Sequence, residues 1–367
     1  MGIPTVVGRF SMDINWILDI TGDTGAAALV GLTVGVIFGV SSQRSRFCLR
    51  AATVEFARGQ LGPRMAVWLL CFSTAVFWTQ TFALSGLVPL EQARWLSSPG
   101  SLSGAILGGL IFGAGMVLAR GCSGRLLVLA AGGNLRALLS GLVFAVTAQM
   151  SLYGVLAPAR SALAGLWVTG PANIELTSFL GLGPYAGVAI GAVLALIALA
   201  ASWRAGIAWP VLVFGSGVGF SVGAGWLLTA TVSSQAFDPV SVESLTFSGP
   251  SADTLMFFMT ASDTVDFDVG LIPGVFLGAA LAALLAREWK LEGFEGAKSM
   301  RRYLSGAAMM GFGAMLAGGC AIGAGVTGGS TFAVSAWLAL TAMWVGAVLT
   351  DYLVDQPKTR ARGPAAA

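Results

Sequence analysis

Four cysteines are the side chains of this 367-residue chain best suited to chemistry, because the sequence contains no histidine. A neutral thiol is a soft, weak hydrogen-bond donor, whereas an ionised thiol is a nucleophile and a metal ligand. Cys48, Cys122 and Cys320 lie in the stretches Arg-Phe-Cys-Leu-Arg, Ala-Arg-Gly-Cys-Ser-Gly and Ala-Gly-Gly-Cys-Ala-Ile-Gly. The cysteines are too scattered for a CxxC pair, so we expect no zinc, haem or iron–sulfur site and no cofactor. Cys71, within Leu-Leu-Cys-Phe, is interpreted as a small core residue.

The neighbours of the motif cysteines suit an anion. Arg120 and Arg125 bracket Cys122 most closely, and Gly121 and Gly319 each directly precede a motif cysteine. Arginines here could attract an anion, or could be topogenic charges whose side chains extend to the membrane surface. Exposed glycine amides at a helix N-terminus donate hydrogen bonds to anions. Gly121, Gly319, Arg120 and Arg125 are therefore candidate substrate-binding residues beside these cysteines.

The elements that position these residues are predicted to be membrane helices. Hydrophobic residues make up 56% of the chain, charged residues only 10%, and the mean hydropathy is +0.82, whereas a soluble domain has about 25% charged residues. This composition predicts an all-α polytopic membrane protein with a single transmembrane domain, 1–367, and excludes a soluble enzyme. The net charge of +3 is dispersed, so nucleic-acid binding has no support. Nine spans are expected near 25–43, 65–84, 102–119, 137–157, 182–202, 208–231, 270–286, 303–317 and 333–354.

Loop charges predict the orientation of these spans. With the N-terminus outside and the tail 355–367 in the cytoplasm, seventeen of the twenty basic residues lie inside, and only Arg9, Arg94 and Arg160 lie outside. The segment 232–269 contains acids and no base, so we expect an external hydrophilic loop. The stretch Met12–Ile20 is too short to cross a bilayer and is either an interfacial helix or a frayed terminus.

An internal repeat relates the two halves of the chain. The ten residues ending at Cys122 and the ten ending at Cys320 share six identities at matching positions, four of which precede the shared Gly-Cys pair. Under the nine-span topology, the two stretches lie on opposite sides of the membrane, so the repeats 25–157 and 208–354 are inverted and 182–202 is a linker helix. Inverted repeats with broken helices are typical of secondary transporters. We expect short re-entrant Gly-Cys helices that meet near the midplane.

A different interpretation applies to other glycines. Gly31, Gly35 and Gly39, like the glycines at 215, 219 and 223, have the spacing of close helix contacts. For these two sets, packing is the favoured reading. The GxGxxG run at 323–328 is discounted as a dinucleotide site, because no predicted strand precedes it.

The three cysteine motifs, in their order and spacing over the whole chain, resemble those of the YeeE/YedE family of bacterial sulfur-compound transporters. The resemblance implies a nine-span inverted repeat in the bacterial inner (cytoplasmic) membrane, thiosulfate as the ion that is taken up, and Cys48, Cys122 and Cys320 along its route. It further implies that a small cytoplasmic TusA-like sulfur-carrier protein, if used, is a separate chain. The expected partners are thus thiosulfate and the lipid bilayer, without nucleic acid.

Three functions are considered from the residues, and the third, a structural or regulatory membrane subunit, would not need the paired Gly-Cys breaks. The other two differ in what the thiols do. In a transporter, the thiols are expected to stay neutral and to donate hydrogen bonds, because no histidine or lysine in the motifs could act as their base. In a membrane-embedded sulfurtransferase, a cysteine would instead attack the sulfane sulfur and become a persulfide. The transporter is favoured, so we expect no enzyme activity. The driving force, the choice among sulfur or selenium compounds and the oligomeric state are not readable from the sequence.

Overall fold

The computed structural model describes residues 14–260, 265–294 and 296–356, and within these ranges the regular structure is helical, with only isolated β-bridges. The α-helices are α1 (Asn15–Ser45), α2 (Leu49–Ala57), α3 (Pro63–Leu84), α4 (Arg94–Ser97), α5 (Leu102–Leu118), α6 (Ser123–Ala131), α7 (Leu135–Leu152), α8 (Ala157–Ala164), α9 (Leu176–Phe179), α10 (Ala186–Arg204), α11 (Trp209–Gln235), α12 (Ser248–Met259), α13 (Phe267–Leu285), α14 (Gly296–Ala317) and α15 (Val334–Thr350). Two π-helical turns, Gly323–Gly328 and Asp351–Asp355, flank α15.

The predicted all-α polytopic membrane fold is confirmed. Within the described ranges, eight helical segments are long and apolar enough to cross a bilayer. They correspond to eight of the nine expected spans. The remaining span, near 303–317, falls in α14, which is 22 residues long but begins with a segment that carries Lys298, Arg301 and Arg302. α14 is therefore long enough to cross a bilayer, and it differs from the other eight segments because the charged residues in its first turns make it less apolar.

Glycines let the central helices approach each other to backbone contact. A Cβ atom built on Gly35 of α1 would lie 2.5 Å from the carbonyl oxygen of Leu271 in α13, and Gly31 and Gly39 meet the same helix one turn away on either side. Glycines of α13 return the contact: a Cβ on Gly274 would meet the main chain of α1. The packing interpretation of this glycine set is therefore confirmed, and it is the small-residue packing of membrane helices.

The helix packing follows a repeated pattern. α1 packs on α11 and α13, while α11 packs on α1 and α3; likewise α5 packs on α14 and α15, while α14 packs on α5 and α7. The short elements follow the same pattern. α6 packs on α7 and α13, and in the other half the turn Gly323–Gly328 packs on α15 and α3. Each of these contacts in one half therefore has a counterpart in the other half. The corresponding elements are α1 and α11, α2 and α12, α3 and α13, α5 and α14, α6 and the turn Gly323–Gly328, and α7 and α15. α10 lies outside this exchange and packs on α3.

The expectation of an external hydrophilic loop over 232–269 is wrong for its central part. Leu245 and Phe247 are fully buried, and α12 follows directly. Hydroxyl groups hold this segment inside, because the Thr327 hydroxyl donates a hydrogen bond to the Leu245 carbonyl at 2.6 Å and the Ser244 hydroxyl donates one to the Val222 carbonyl at 2.7 Å. Burial of this segment was not predicted from the sequence, because its acidic residues alternate with apolar ones and the segment therefore looks hydrophilic. Asp263 lies outside the described residues, as do Met12 and Asp13 of the short N-terminal stretch. Residues 15–20 of that stretch form the start of α1, which is kinked beyond them at Gly22.

Candidate functional site

Cys48 and Cys122 lie side by side at the N-termini of two short helices. Cys48 is the N-cap residue of α2 and Cys122 that of α6. Their thiols lie next to each other, and both are free of disulfides. The main-chain N–H of Ala51 lies near the Cys48 sulfur, and those of Leu49 and Arg125 lie near the Cys122 sulfur, while neither thiol forms a cap hydrogen bond with its own helix. Two helix N-termini therefore converge on one pair of thiols, which makes the region favourable for negative charge.

Sharp breaks in the chain create this geometry. Arg46, at the end of α1, has φ 53°, and Arg120, after α5, has φ 56°. Such left-handed residues end a helix and turn the chain back. Each break is followed within two residues by a motif cysteine, so α2 and α6 start inside the protein rather than at its surface.

Cys320 occupies the equivalent place in the second half of the chain. Its sulfur accepts hydrogen bonds from the main-chain N–H of Gly323 at 3.4 Å and of Phe247 at 3.3 Å. Gly323 lies three residues after Cys320, as Arg125 lies three residues after Cys122. Phe247 is the N-cap residue of α12, as Cys48 is that of α2. The two halves share their main-chain donors but differ in the side chains that surround them.

The ring of Phe247 lies between the two thiol sites. Its main chain binds Cys320, while its ring reaches α6, where a Cβ on Gly124 would lie only 3.0 Å from it. The ring also contacts Phe38 of α1, with ring centroids 4.9 Å apart. Phe38 and Phe247 are fully buried. Phe247 therefore contacts Cys320 through its main chain and α6, beside Cys122, through its ring.

Arg125 is the basic side chain next to the thiol pair. Its Nη1 atom is buried and has no hydrogen-bond partner in the described structure, and its charge interacts with both Cys48 and Cys122. Arg50, two residues after Cys48, also interacts with the Cys48 charge and has a buried Nε without a hydrogen-bond partner among the described residues, but its guanidinium group is paired with Asp355 at 3.6 Å. An unpartnered buried guanidinium N–H calls for an acceptor, so Arg125 is suited to bind an anion here.

The structure separates the other predicted site residues. Arg120 is exposed, and its guanidinium lies 6.0 Å from the centre of the Tyr303 ring. Gly121 is buried beside Leu126 and allows the turn before Cys122. Gly319 is packed against the main chain of Ala324, with its Cβ position 2.7 Å from that nitrogen. The geometry thus brings Arg125 to the thiols and gives Arg120 a different contact, while both glycines provide close packing. Cys71 is fully buried in α3, as expected for a core residue.

A cavity of about 630 Å³ opens next to Cys320. Its wall includes Gly318, two residues before Cys320, and Thr246, directly before Phe247. The basic side chains on its wall are Arg94 and Arg160, which are two of the three basic residues that the sequence places outside. The cavity is also lined by the carboxyl groups of Glu243, Asp253 and Asp268 and by several serines.

Burial changes the ionisation of one of these acids. Desolvation, with a smaller effect of the nearby Asp266 carboxylate, raises the pKa of Glu243 from its ordinary 4.5 to about 7, although Arg94 acts in the opposite direction. Glu243 therefore changes charge near neutral pH. Sequence analysis missed Phe247 and this cavity, because an apolar residue carries no chemical signature. The offset of 198 residues between Cys122 and Cys320 nevertheless maps Cys48 onto Thr246, directly before Phe247.

Comparison with known proteins agrees with the motifs. The family model described as sulphur transport matches residues 44–349. A thiosulfate transporter TsuA of Spirochaeta thermophila is 29% identical over 332 residues, which cover 84% of this chain and 93% of the relative. A thiosulfate transporter TsuA of Escherichia coli is 27% identical over 361 residues, or 91% of this chain and 97% of the relative. The resemblance to the YeeE/YedE proteins is confirmed, and the chain belongs to the sulphur transport family.

Proposed function

We propose that this protein takes up thiosulfate, or a closely related small sulfur oxyanion, into the cytoplasm. The observation that carries the proposal is the Cys48–Cys122 pair, on which two helix N-termini and the unpartnered Arg125 guanidinium converge. The names of the two relatives support the choice of ion. A dianion that leaves water needs donors along its path that replace its hydration without holding it permanently. Main-chain N–H groups and one guanidinium meet that need.

The thiols suit the terminal sulfur of thiosulfate. That atom is large and polarizable, and a neutral S–H is a weak donor that can be exchanged for the next one along a path. A thiolate about 4 Å from the dianion would repel it by about 8 kcal/mol at an effective dielectric constant of about 20. The transport role therefore needs neutral thiols while the ion passes. Cys320, below the cavity, would receive the ion first and the Cys48–Cys122 pair would receive it last.

The orientation is part of the proposal. The N-terminus is placed outside and the tail 355–367 in the cytoplasm of a bacterial inner membrane, with 25–157 and 208–354 as inverted repeats around the linker 182–202. The exchangeable packing of the two sets of helices supports the repeats. In this orientation, Arg94 and Arg160 stand at the external cavity, where they would attract an incoming anion. A TusA-like carrier would meet the ion on the opposite side.

A sulfurtransferase is the second candidate, because Arg125 supplies a cation beside two adjacent thiols. In that reaction, a thiolate attacks the sulfane sulfur of thiosulfate, the S–S bond breaks, and sulfite leaves with the electron pair, which yields a persulfide. The favoured role is transport without such chemistry.

Uptake of doubly labelled thiosulfate into liposomes that contain only this protein separates the two candidates. Transport predicts accumulation of intact thiosulfate, with the largest loss for Cys122→Ala and near wild-type uptake for Cys71→Ala, the matched control inside α3. Released sulfite together with protein persulfide would favour the enzyme. Equal uptake by the single alanine variants of all four cysteines would refute a role of the thiols.

A further inference from the structure

A pair of carboxyl groups in the cavity has no role in the path described so far. The side chains of Asp253, on α12, and Asp268, on α13, lie on the same cavity wall, and their charges interact. Gly249 leaves room for both: a Cβ there would lie 3.5 Å from Oδ2 of Asp268 and 3.7 Å from Oδ2 of Asp253. Two carboxylates that share a partly buried site repel each other, and a proton on one of them removes that repulsion. This placement therefore favours a bound proton.

The pair also presents an unsatisfied acceptor. Oδ1 of Asp268 is buried and accepts no hydrogen bond within the described part of the chain. Asp268 and Asp253 both line the cavity. A buried carboxylate oxygen without a donor is costly, and protonation or a bound cation removes that cost. The described residues form no group of three or more acids, cysteines or histidines arranged to hold a metal ion, so a proton fits this site better than a divalent ion does.

Glu243 connects the Asp253–Asp268 pair to Cys320, through its charge on one side and through the chain that follows it on the other. Its charge interacts with those of Asp266, Asp253 and Arg94, and it lines the same cavity. It begins the buried segment 243–247, which is fixed to α11 by the hydrogen bond from Thr229 to the Glu243 carbonyl at 2.6 Å. That segment ends at Phe247, the donor to Cys320. Protonation in the cavity thus occurs on the stretch of chain that reaches the first thiol.

The charges in the cavity explain why protons and a dianion would bind together. The groups that face the carboxyls are the guanidinium groups of Arg94 and Arg160 and the neighbouring Asp266 at the N-terminus of α13. If Glu243, Asp253 and Asp268 were all ionised, they would outweigh the two arginines and repel the ion. Each bound proton removes one negative charge, and by reciprocity a bound dianion strengthens proton binding.

We propose that Glu243, Asp253 and Asp268, here called the carboxyl cluster, take up protons from the external side together with the sulfur oxyanion, so that the protein is a proton symporter. This inference rests on the proposed function. It supplies the driving force for an anion that would otherwise have to move against a negative membrane potential.

Counterflow and net uptake in liposomes distinguish coupling from transport itself. With about pH 6 outside and about pH 8 inside, and the membrane potential clamped, one proton per anion gives about 100-fold accumulation at equilibrium. A protonophore should abolish it. Glu243→Gln and Asp268→Asn should each lower this accumulation, and the double variant should remove it, while exchange of internal unlabelled for external labelled thiosulfate continues. Asp238→Asn is the matched control, because Asp238 lies on the same external segment with an exposed side chain.

Several outcomes would overturn the coupling. Wild-type net uptake without any dependence on the pH gradient, with exchange intact, would refute it and leave transport standing, and accumulation that follows a sodium gradient would replace the proton by another ion. Accumulation by the double variant equal to that of Asp238→Asn would also refute it. Loss of exchange in the wild type would instead refute the proposed function. A direct check is proton uptake when thiosulfate is added to weakly buffered protein in detergent, which the double variant should lack.

Discussion

Replacement of Arg125 by glutamine tests whether the buried guanidinium binds the anion. Nη1 of Arg125 is buried without a partner beside Cys48 and Cys122. A dianion about 5 Å from this charge is attracted by up to about 7 kcal/mol at an effective dielectric constant of about 20. Removal of one partner from a buried charge pair typically costs about 2 to 5 kcal/mol. We therefore expect Arg125→Gln to weaken thiosulfate binding between about 30-fold and a few thousand-fold.

Arg120→Gln is the matched control, because Arg120 is close in sequence but exposed and stacked on Tyr303. Its affinity should stay near that of the wild type. Calorimetric titration of detergent-solubilised protein measures both affinities, and Arg125→Lys should bind with intermediate strength because it keeps the charge but loses the planar donors. Unchanged affinity in Arg125→Gln, or an equal loss in Arg120→Gln, would show that the anion is held elsewhere.

Three further predictions concern the site and the packing that supports it. The pKa of Glu243 in the folded protein is raised to about 7 from 4.5, so its contribution to stability is present below about pH 4.5 and is lost as the pH rises through about 7, a difference of up to about 3 kcal/mol. Thermal unfolding should show this decline in the wild type and a smaller one in Glu243→Gln. Phe247→Ala should remove the barrier between the thiol sites and raise passive thiosulfate leak in liposomes; an unaltered leak would place the barrier elsewhere. Gly35→Ala should destabilise the protein by about 1 to 3 kcal/mol, because the added Cβ would lie 2.5 Å from the Leu271 carbonyl oxygen, whereas Gly141→Ala, which meets open space, should not.

Spans of the membrane fold were predictable because hydropathy acts over whole helices. The expected span 65–84 is helix α3, Pro63–Leu84, and 102–119 is α5, Leu102–Leu118. The short helices were not predictable in the same way. α2 contains Arg50 and Glu55, and α12 contains Asp253, so windows over them look like loops. Tertiary contacts bury these short helices in the protein, and such contacts cannot be deduced from the charges of neighbouring residues in the sequence.

The candidate site was predictable as far as unusual residues mark it. Cys48 and Cys122 stood out by type, and the structure brings them together. The two arginines near Cys122 are equivalent in the sequence. In the structure, the direction of the backbone after Gly121 places Arg125 near the thiols and Arg120 near Tyr303. That direction depends on a left-handed turn at Arg120, with φ 56°, and residue type at a non-glycine position gives no hint of it.

Differences between the two halves give the proposed path its direction. Both halves offer the same main-chain donors, since Arg125 and Gly323 each provide the N–H three residues after a cysteine. The half placed toward the cytoplasm adds a second thiol and a guanidinium, whereas the other half has Thr246 and Gly323 at the matching positions. A dianion should therefore bind more weakly at Cys320 than at Cys122. Weak binding of the anion at the external site, near Cys320, is compatible with uptake only if another interaction favours its binding there. Protons on the carboxyl cluster would do so, because they reduce the negative charge around this weaker site.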